Sequence, residues 1–118
     1  MNILLVNTFY PPDGHGGAER SVAVLAEGMI AAGHNVSVLC STRSNFKSAR
    51  EGVAIFGIGH VNIYWLGSGF KAIKPLKLLW HIIDIFNPLV LFRCLYLIKK
   101  ISPDVVHTNN LTGFSPSI

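Results

Sequence analysis

The chain has 118 residues, 50% of them hydrophobic and 14% charged, which suits one domain around one buried core and excludes a disordered tail. Ten Lys and Arg against six Asp and Glu give a net charge of +4, and the excess is local, since Lys71, Lys74, Lys77, Arg93, Lys99 and Lys100 face only Asp84 in their stretch. Such a bias suits nucleic acid, an anionic membrane surface or a phosphorylated ligand alike, so position has to choose among them. Cys40 and Cys94 stand far apart without metal-ligand spacing, and Met1 to Tyr10 has no basic start and no cleavage site. Reduced thiols in a cytosolic core are the expectation.

In chain order, Asn2 to Phe9 is a short apolar run with β-branched members, the pattern of a parallel strand covered on both faces. Pro11, Pro12, Asp13, Gly14, Gly16 and Gly17 break it. Ala18 to Ala32 follows with Val22, Leu25, Ala26 and Met29 at helical spacing, and Gly33 suits the cap beyond that helix. His34 to Cys40 alternates, with Val36, Val38 and Cys40 on one side. Strand, helix and strand within about 40 residues make a right-handed βαβ unit of an open parallel sheet, which sets the fold class as α/β.

Ser41 to Arg50 is polar and reads as a mobile loop, and Val53–Ile58 and Val61–Leu66 read as strand material. From Lys71 the pattern turns helical, with Leu76, Leu79, Trp80 and Ile83 on one face. Asn87-Pro88 resembles an N-cap followed by proline at the first helical position, opening a helix that should run to about Ile101. Pro103 halts it, and Asp104 to Thr108 is expected as a short buried strand with polar residues at its C-terminal end. Leu76 to Ile98 approaches the length of a membrane span, but His81, Asp84, Asn87, Pro88 and Arg93 divide it. Two readings of residues 71–100 stay open: helices packed on a core with solvated lysines, or a helix pair resting on an anionic membrane surface. Nucleic acid is disfavoured, because the basic residues lie among buried-type aliphatics.

The loop from Asp13 to Glu19 joins a strand's C-terminal end to a helix's N-terminus, the place where open α/β sheets bind ligands. Glycines let backbone approach a ligand closely, and free N–H groups with the helix dipole favour phosphate oxygens. Gly16 and Gly17 are therefore candidates to cradle a diphosphate, against the plain alternative of a tight turn. Glu19 fits neither a dinucleotide fingerprint nor a phosphate contact, and in the first helical turn it is favourable through the dipole alone.

Phe9-Tyr10-Pro11-Pro12, Gly16-Gly17-Ala18-Glu19-Arg20, Ala32-Gly33-His34-Asn35-Val36 and Pro103-Asp104-Val105-Val106-His107-Thr108, in that order, resemble the N-terminal domain of family-four glycosyltransferases. The spacer resembles bacterial polysaccharide members too, at Asn62-Ile63-Tyr64-Trp65 and from Leu79 to Asp84 with Asn87-Pro88. The resemblance implies a GT-B enzyme of two Rossmann-like domains, the N-terminal one holding the acceptor and the other the nucleotide sugar. It implies transfer with retention of configuration, without cofactor or bound metal, and a Gly-Gly-x-Glu loop (Gly16, Gly17, Glu19) closing over the donor diphosphate. The acceptor would be a glycan or a lipid-linked glycan, at the cytoplasmic face of the membrane.

Many members carry His-x-His after the Asp-Val-Val strand, where this chain has His107-Thr108-Asn109. Asn109 can hydrogen-bond a sugar hydroxyl but cannot donate a proton as an acid near neutral pH. His107 is a catalytic candidate whose alternative is a packed strand-end histidine, and His34, His60 and His81 read as structural. Two Rossmann-size domains need roughly 300 residues, so residues 1–118 are expected to be the acceptor-side domain, truncated at its C-terminal end and without the second domain. The competing reading is a non-enzymatic α/β module that binds a phosphorylated ligand or a membrane surface.

Overall fold

The computed structural model describes residues 1–13, 16–59, 73–85 and 87–111. Its elements are β1 (Asn2–Asn7), α1 (Gly17–Ala31), β2 (Asn35–Thr42), β3 (Phe46–Arg50), β4 (Val53–Gly59), α2 (Lys74–Ile85), α3 (Pro88–Ile101) and β5 (Val105–Thr108). They form one five-stranded sheet in the order β3-β4-β2-β1-β5. β1, β2, β4 and β5 run parallel, and β3 joins antiparallel at one edge. This is the Rossmann-like α/β architecture that the strand–helix–strand pattern implies.

The apolar runs are explained by helices on both faces of the sheet. Ile3 and Leu5 of β1 pair in register with Val36 and Val38 of β2, and these side chains meet Val22 and Ala26 of α1. Leu4, Val6, Leu39, Phe56 and Ile58 point the other way and pack under Val90 and Cys94 of α3. Each fully buried aliphatic contributes about 1.5–3 kcal/mol, so a central strand needs apolar residues at consecutive positions rather than alternate ones. Cys40 belongs to the core on the α1 side and Cys94 to the core on the α3 side. The sheet separates them, and both thiols are free.

Local signals fix the element ends. Gly33 has φ 87°, its N–H donates to the Ile30 carbonyl at 2.8 Å and the His34 N–H donates to Met29 at 3.0 Å, the paired bonds that close a helix on a left-handed residue. Asn87 Oδ1 accepts from the Val90 N–H at 3.2 Å, and Pro88 opens α3, as its sequence foretells. At the other end the Asp104 carboxylate accepts from the Asn2 N–H at 2.7 Å, tying the start of β5 to the start of β1.

Two strand expectations are corrected. The polar stretch Ser41 to Arg50 is not a loop throughout: Phe46–Arg50 is a strand paired with Val53–Gly57. A two-residue turn makes that hairpin, with Glu51 and Gly52 both left-handed at φ 51° and 82°, the geometry that matches strand twist. All five β3 residues are exposed, which is why no apolar alternation marked it. β5, expected as buried, is exposed at all four residues. Val61–Leu66, His60, Lys71 and the Asn62–Trp65 motif lie outside the described residues.

The helices after β4 share the core unequally. Trp80 is 2% exposed and Val90 1%, but Leu78, Ile82, Leu89, Phe92 and Tyr96 are each more than half exposed. Leu79, expected on the core face, is 48% exposed. By length and composition alone Lys74–Ile101 could cross a membrane, with 20% of its most apolar part buried. The cap at Asn87 divides it into helices of 12 and 14 residues, each shorter than the roughly 20 residues a span requires.

Candidate functional site

The parallel strands all end on one edge of the sheet. From β1 the chain leaves by α1 toward β2 on one side, while β5 arrives on the other side by way of α3. The crevice between β1 and β5 is thus the switch point of the sheet, where connections diverge and ligands bind.

Four polar residues converge there. Asn7 and Thr8 end β1 buried, at 0% and 2% exposure. The Asn7 amide donates to the Phe9 carbonyl at 2.7 Å, and the Asn109 side-chain amide stands 3.5 Å from Asn7 Oδ1. The Asn109 N–H donates to the Val6 carbonyl at 3.0 Å, carrying the β1–β5 register one residue past the strand. Thr8 Oγ1 donates to the Asn110 carbonyl at 3.3 Å. Asn109 is therefore held by backbone and side chain together. Asn7 and Thr8 were missed by sequence reasoning, although a polar pair closing an apolar run was the signal available.

The glycine loop enters the same edge. Gly16 is the N-cap of α1 with no side-chain cap, and Gly17 is the first helical residue. The cap residue thus supplies no side-chain oxygen to the terminal N–H groups of α1, the type of donor set that favours an anion. A Cβ at Gly16 would lie 2.6 Å from Glu19 Oε2, whereas one at Gly17 would meet nothing within 4 Å. Gly16 is small because the Glu19 carboxylate folds back against it. Gly14 and His15 lie outside the described residues.

Glu19 is 9% exposed, and its Oε2 is buried without a hydrogen-bond partner among the described residues. It lines a depression of about 440 Å³ with Pro11, Gly16 and Glu27. A carboxylate there repels phosphate, so the Glu19 side chain does not suit an anion, and the donors available to one are first-turn backbone N–H groups such as those of Gly16 and Gly17. What Glu19 offers is an acceptor, suited to a hydroxyl.

His107 is not brought to the edge. It pairs with Leu5 and lines a groove between α1 and β5 with Met1, Val24, Leu25 and His34. It is exposed rather than packed, and two residues of extended strand, about 7 Å, separate it from Asn109. Neither thiol belongs to the site: burial pushes Cys40 up to about 12, helped by Asp13, and burial alone does the same for Cys94. Among the described residues no three His, Cys, Asp or Glu side chains gather as metal ligands.

Residues 15–118 match the profile of Glycosyltransferase Family 4. The chain belongs to that family. A Klebsiella pneumoniae protein described as an uncharacterized 42.6 kDa protein in cps region is 44% identical over 121 residues. That match takes in 100% of this chain and 32% of the relative, so the chain spans about a third of that protein's length. No solved structure matches it. The family profile runs from the glycine loop through both helices and β5, the elements that build the switch-point edge.

Proposed function

We propose that the polypeptide carrying this chain transfers a sugar from a nucleotide-sugar donor to a glycan or lipid-linked acceptor, with the chain as its acceptor-side domain. One observation carries the reading in a family-four member: the Asn7–Asn109 pair and the glycine-capped N-terminus of α1 both lie at the strand-end edge of the sheet, beside its switch point. In the reaction an acceptor oxygen bonds to the anomeric carbon, the bond from that carbon to the diphosphate breaks, and the nucleoside diphosphate leaves with the electron pair. The acceptor proton goes to solvent or to a departing phosphate oxygen. The N–H groups at Gly16 and Gly17 favour the charge that grows on the diphosphate, and no metal is required for that contribution. Asn109 orients a sugar hydroxyl, and the unpartnered Glu19 oxygen accepts another, which relieves its burial cost.

Retention of configuration and a cytoplasmic-face location are part of this proposal, suggested by the family resemblance, and the cps-region relative favours cell-surface polysaccharide as the product. The exposed apolar faces of α2 and α3, flanked by Lys74, Lys77, Lys99 and Lys100, suit contact with an anionic membrane. The test is release of nucleoside diphosphate from a panel of UDP-, GDP- and ADP-sugars by the intact polypeptide, in extracts that supply acceptor. One donor is expected to turn over, and nuclear magnetic resonance of the product should show the donor's anomeric configuration. Silence across the panel would contradict the assignment, and an inverted product would contradict retention.

A further inference from the structure

A second concave site lies away from the switch point. α3 and the β3–β4 hairpin enclose a trough of about 470 Å³, within the roughly 300–1,000 Å³ of small-molecule sites. Phe56, Phe92 and Leu97 form its apolar walls, and Lys47, Arg93 and Lys100 stand around it. Phe92 is 69% exposed, an unusual position for a phenylalanine unless something covers it. Among the described residues no acidic side chain lines the trough, and the ion pair Arg50–Glu51 involves none of these cations. Lys47 instead lies 5.5 Å from the centroid of Phe56, and Lys100 lies 5.9 Å from that of Tyr96.

We propose that this trough binds one anionic amphiphile, an alkyl or isoprenoid chain that ends in a phosphate. The walls take the chain and the cations take the head. Three cations, one of them a planar guanidinium fork, suit the several oxygens of a phosphate. Among the described residues Asn45 and Tyr96 are the uncharged polar side chains in the lining, beside Phe46, Phe56, Ile58, Phe92 and Leu97, so the walls are mostly apolar and suit a hydrocarbon chain, which needs no polar contact. A bilayer surface would reach the rim but not the wall at Phe56, which is 8% exposed. Concavity therefore favours a single inserted chain.

One end of the trough lies on the sheet edge that carries the switch point, with β2 between them. Asn45 Oδ1 accepts from the Gly59 N–H at 2.6 Å, so the end of the trough at Asn45 lies where β4 finishes, on the same edge as Asn7 and Asn109. The inference deepens the acceptor half of the function proposed above and rests on it only for the identity of the lipid as acceptor.

The test is calorimetric titration of the 118-residue chain with dodecyl phosphate below its micelle-forming concentration. Inorganic phosphate, dodecyl maltoside and phosphatidylglycerol vesicles are run beside it. A saturable one-to-one complex is expected, with inorganic phosphate and the uncharged maltoside each at least tenfold weaker. Lys47→Gln with Arg93→Gln should weaken binding at least tenfold, and Phe92→Asp similarly, while Lys77→Gln on α2 leaves it unchanged. These side chains are exposed, circular dichroism checks each fold, and Lys100→Gln alone serves if the double variant fails to fold. Binding to vesicles only, equal binding of inorganic phosphate, or equal losses in the Lys77 variant would each overturn the site. Nucleotide sugar is absent throughout, so loss of this binding with transfer intact refutes the trough alone, and the reverse refutes the sugar-transfer reading alone.

Discussion

At the scale of single residues, burial and charge decide what the titratable groups do. Cys40 and Cys94 rise from an ordinary 9.0 to about 12 because the sheet faces that enclose them disfavour a thiolate. A folded-state pKa above the unfolded one means that folding retains the proton. The stability this contributes is complete below pH 9 and is lost as pH climbs toward 12, at up to about 1.4 kcal/mol per unit for each thiol. The urea midpoint should therefore fall between pH 9 and 11, and fall less steeply in a Cys40→Ala/Cys94→Ala variant. In the native chain at pH 8 both thiols should resist a disulfide reagent that labels them promptly in urea. At the candidate site, the positions of Gly16, Gly17 and Asn109 were legible because a strand–glycine–helix junction and a strand end are positional signals. Asn7 and Thr8 were not, since their importance comes from β5, whose pairing with β1 spans about a hundred residues of sequence. Glu19 was legible in type and not in posture: only coordinates show its carboxylate against Gly16.

At the scale of elements, caps and close approaches hold the architecture. Asn87→Ala removes the bond to the Val90 N–H and should cost about 1 kcal/mol in urea unfolding. Gly57 carries a different constraint. The Arg43–Asn45 segment crosses the end of β4, and a Cβ at Gly57 would run into the Phe46 ring and the Thr42 hydroxyl. Gly57→Ala should destabilise by about 1–3 kcal/mol, and the added change Phe46→Ala should recover part of that loss. The hairpin illustrates where sequence reading stops. β1, α1 and β2 declare themselves by apolar pattern, because burial selects their residues, and α3 declares itself by its Asn87-Pro88 cap. β3 is exposed along its whole length, so nothing selects apolar residues there, and Glu51-Gly52 is a weaker turn signal than Asn-Gly or Asp-Gly. The exposure of β5 was illegible for a related reason: an apolar strand reads as buried whether or not anything covers it.

At the scale of the whole molecule, the fold puts its ligand-facing groups on one edge and its exposed apolar surface on α2 and α3. The strand-end edge carries the Asn7–Asn109 amide pair, the N-terminus of α1 and a Glu19 oxygen that has no hydrogen-bond partner among the described residues. The central claim is that this N-terminus receives the donor diphosphate. Gly17→Asp tests it most directly, because the position has open space and an acidic residue in the first helical turn favours the helix. Thermal stability should be unchanged or slightly raised. In the intact polypeptide, kcat/KM for the nucleotide-sugar donor should fall at least tenfold, since a fixed negative charge would occupy the ground meant for phosphate. Donor turnover equal to that of the unsubstituted enzyme, in a variant that remains folded, would contradict the assignment.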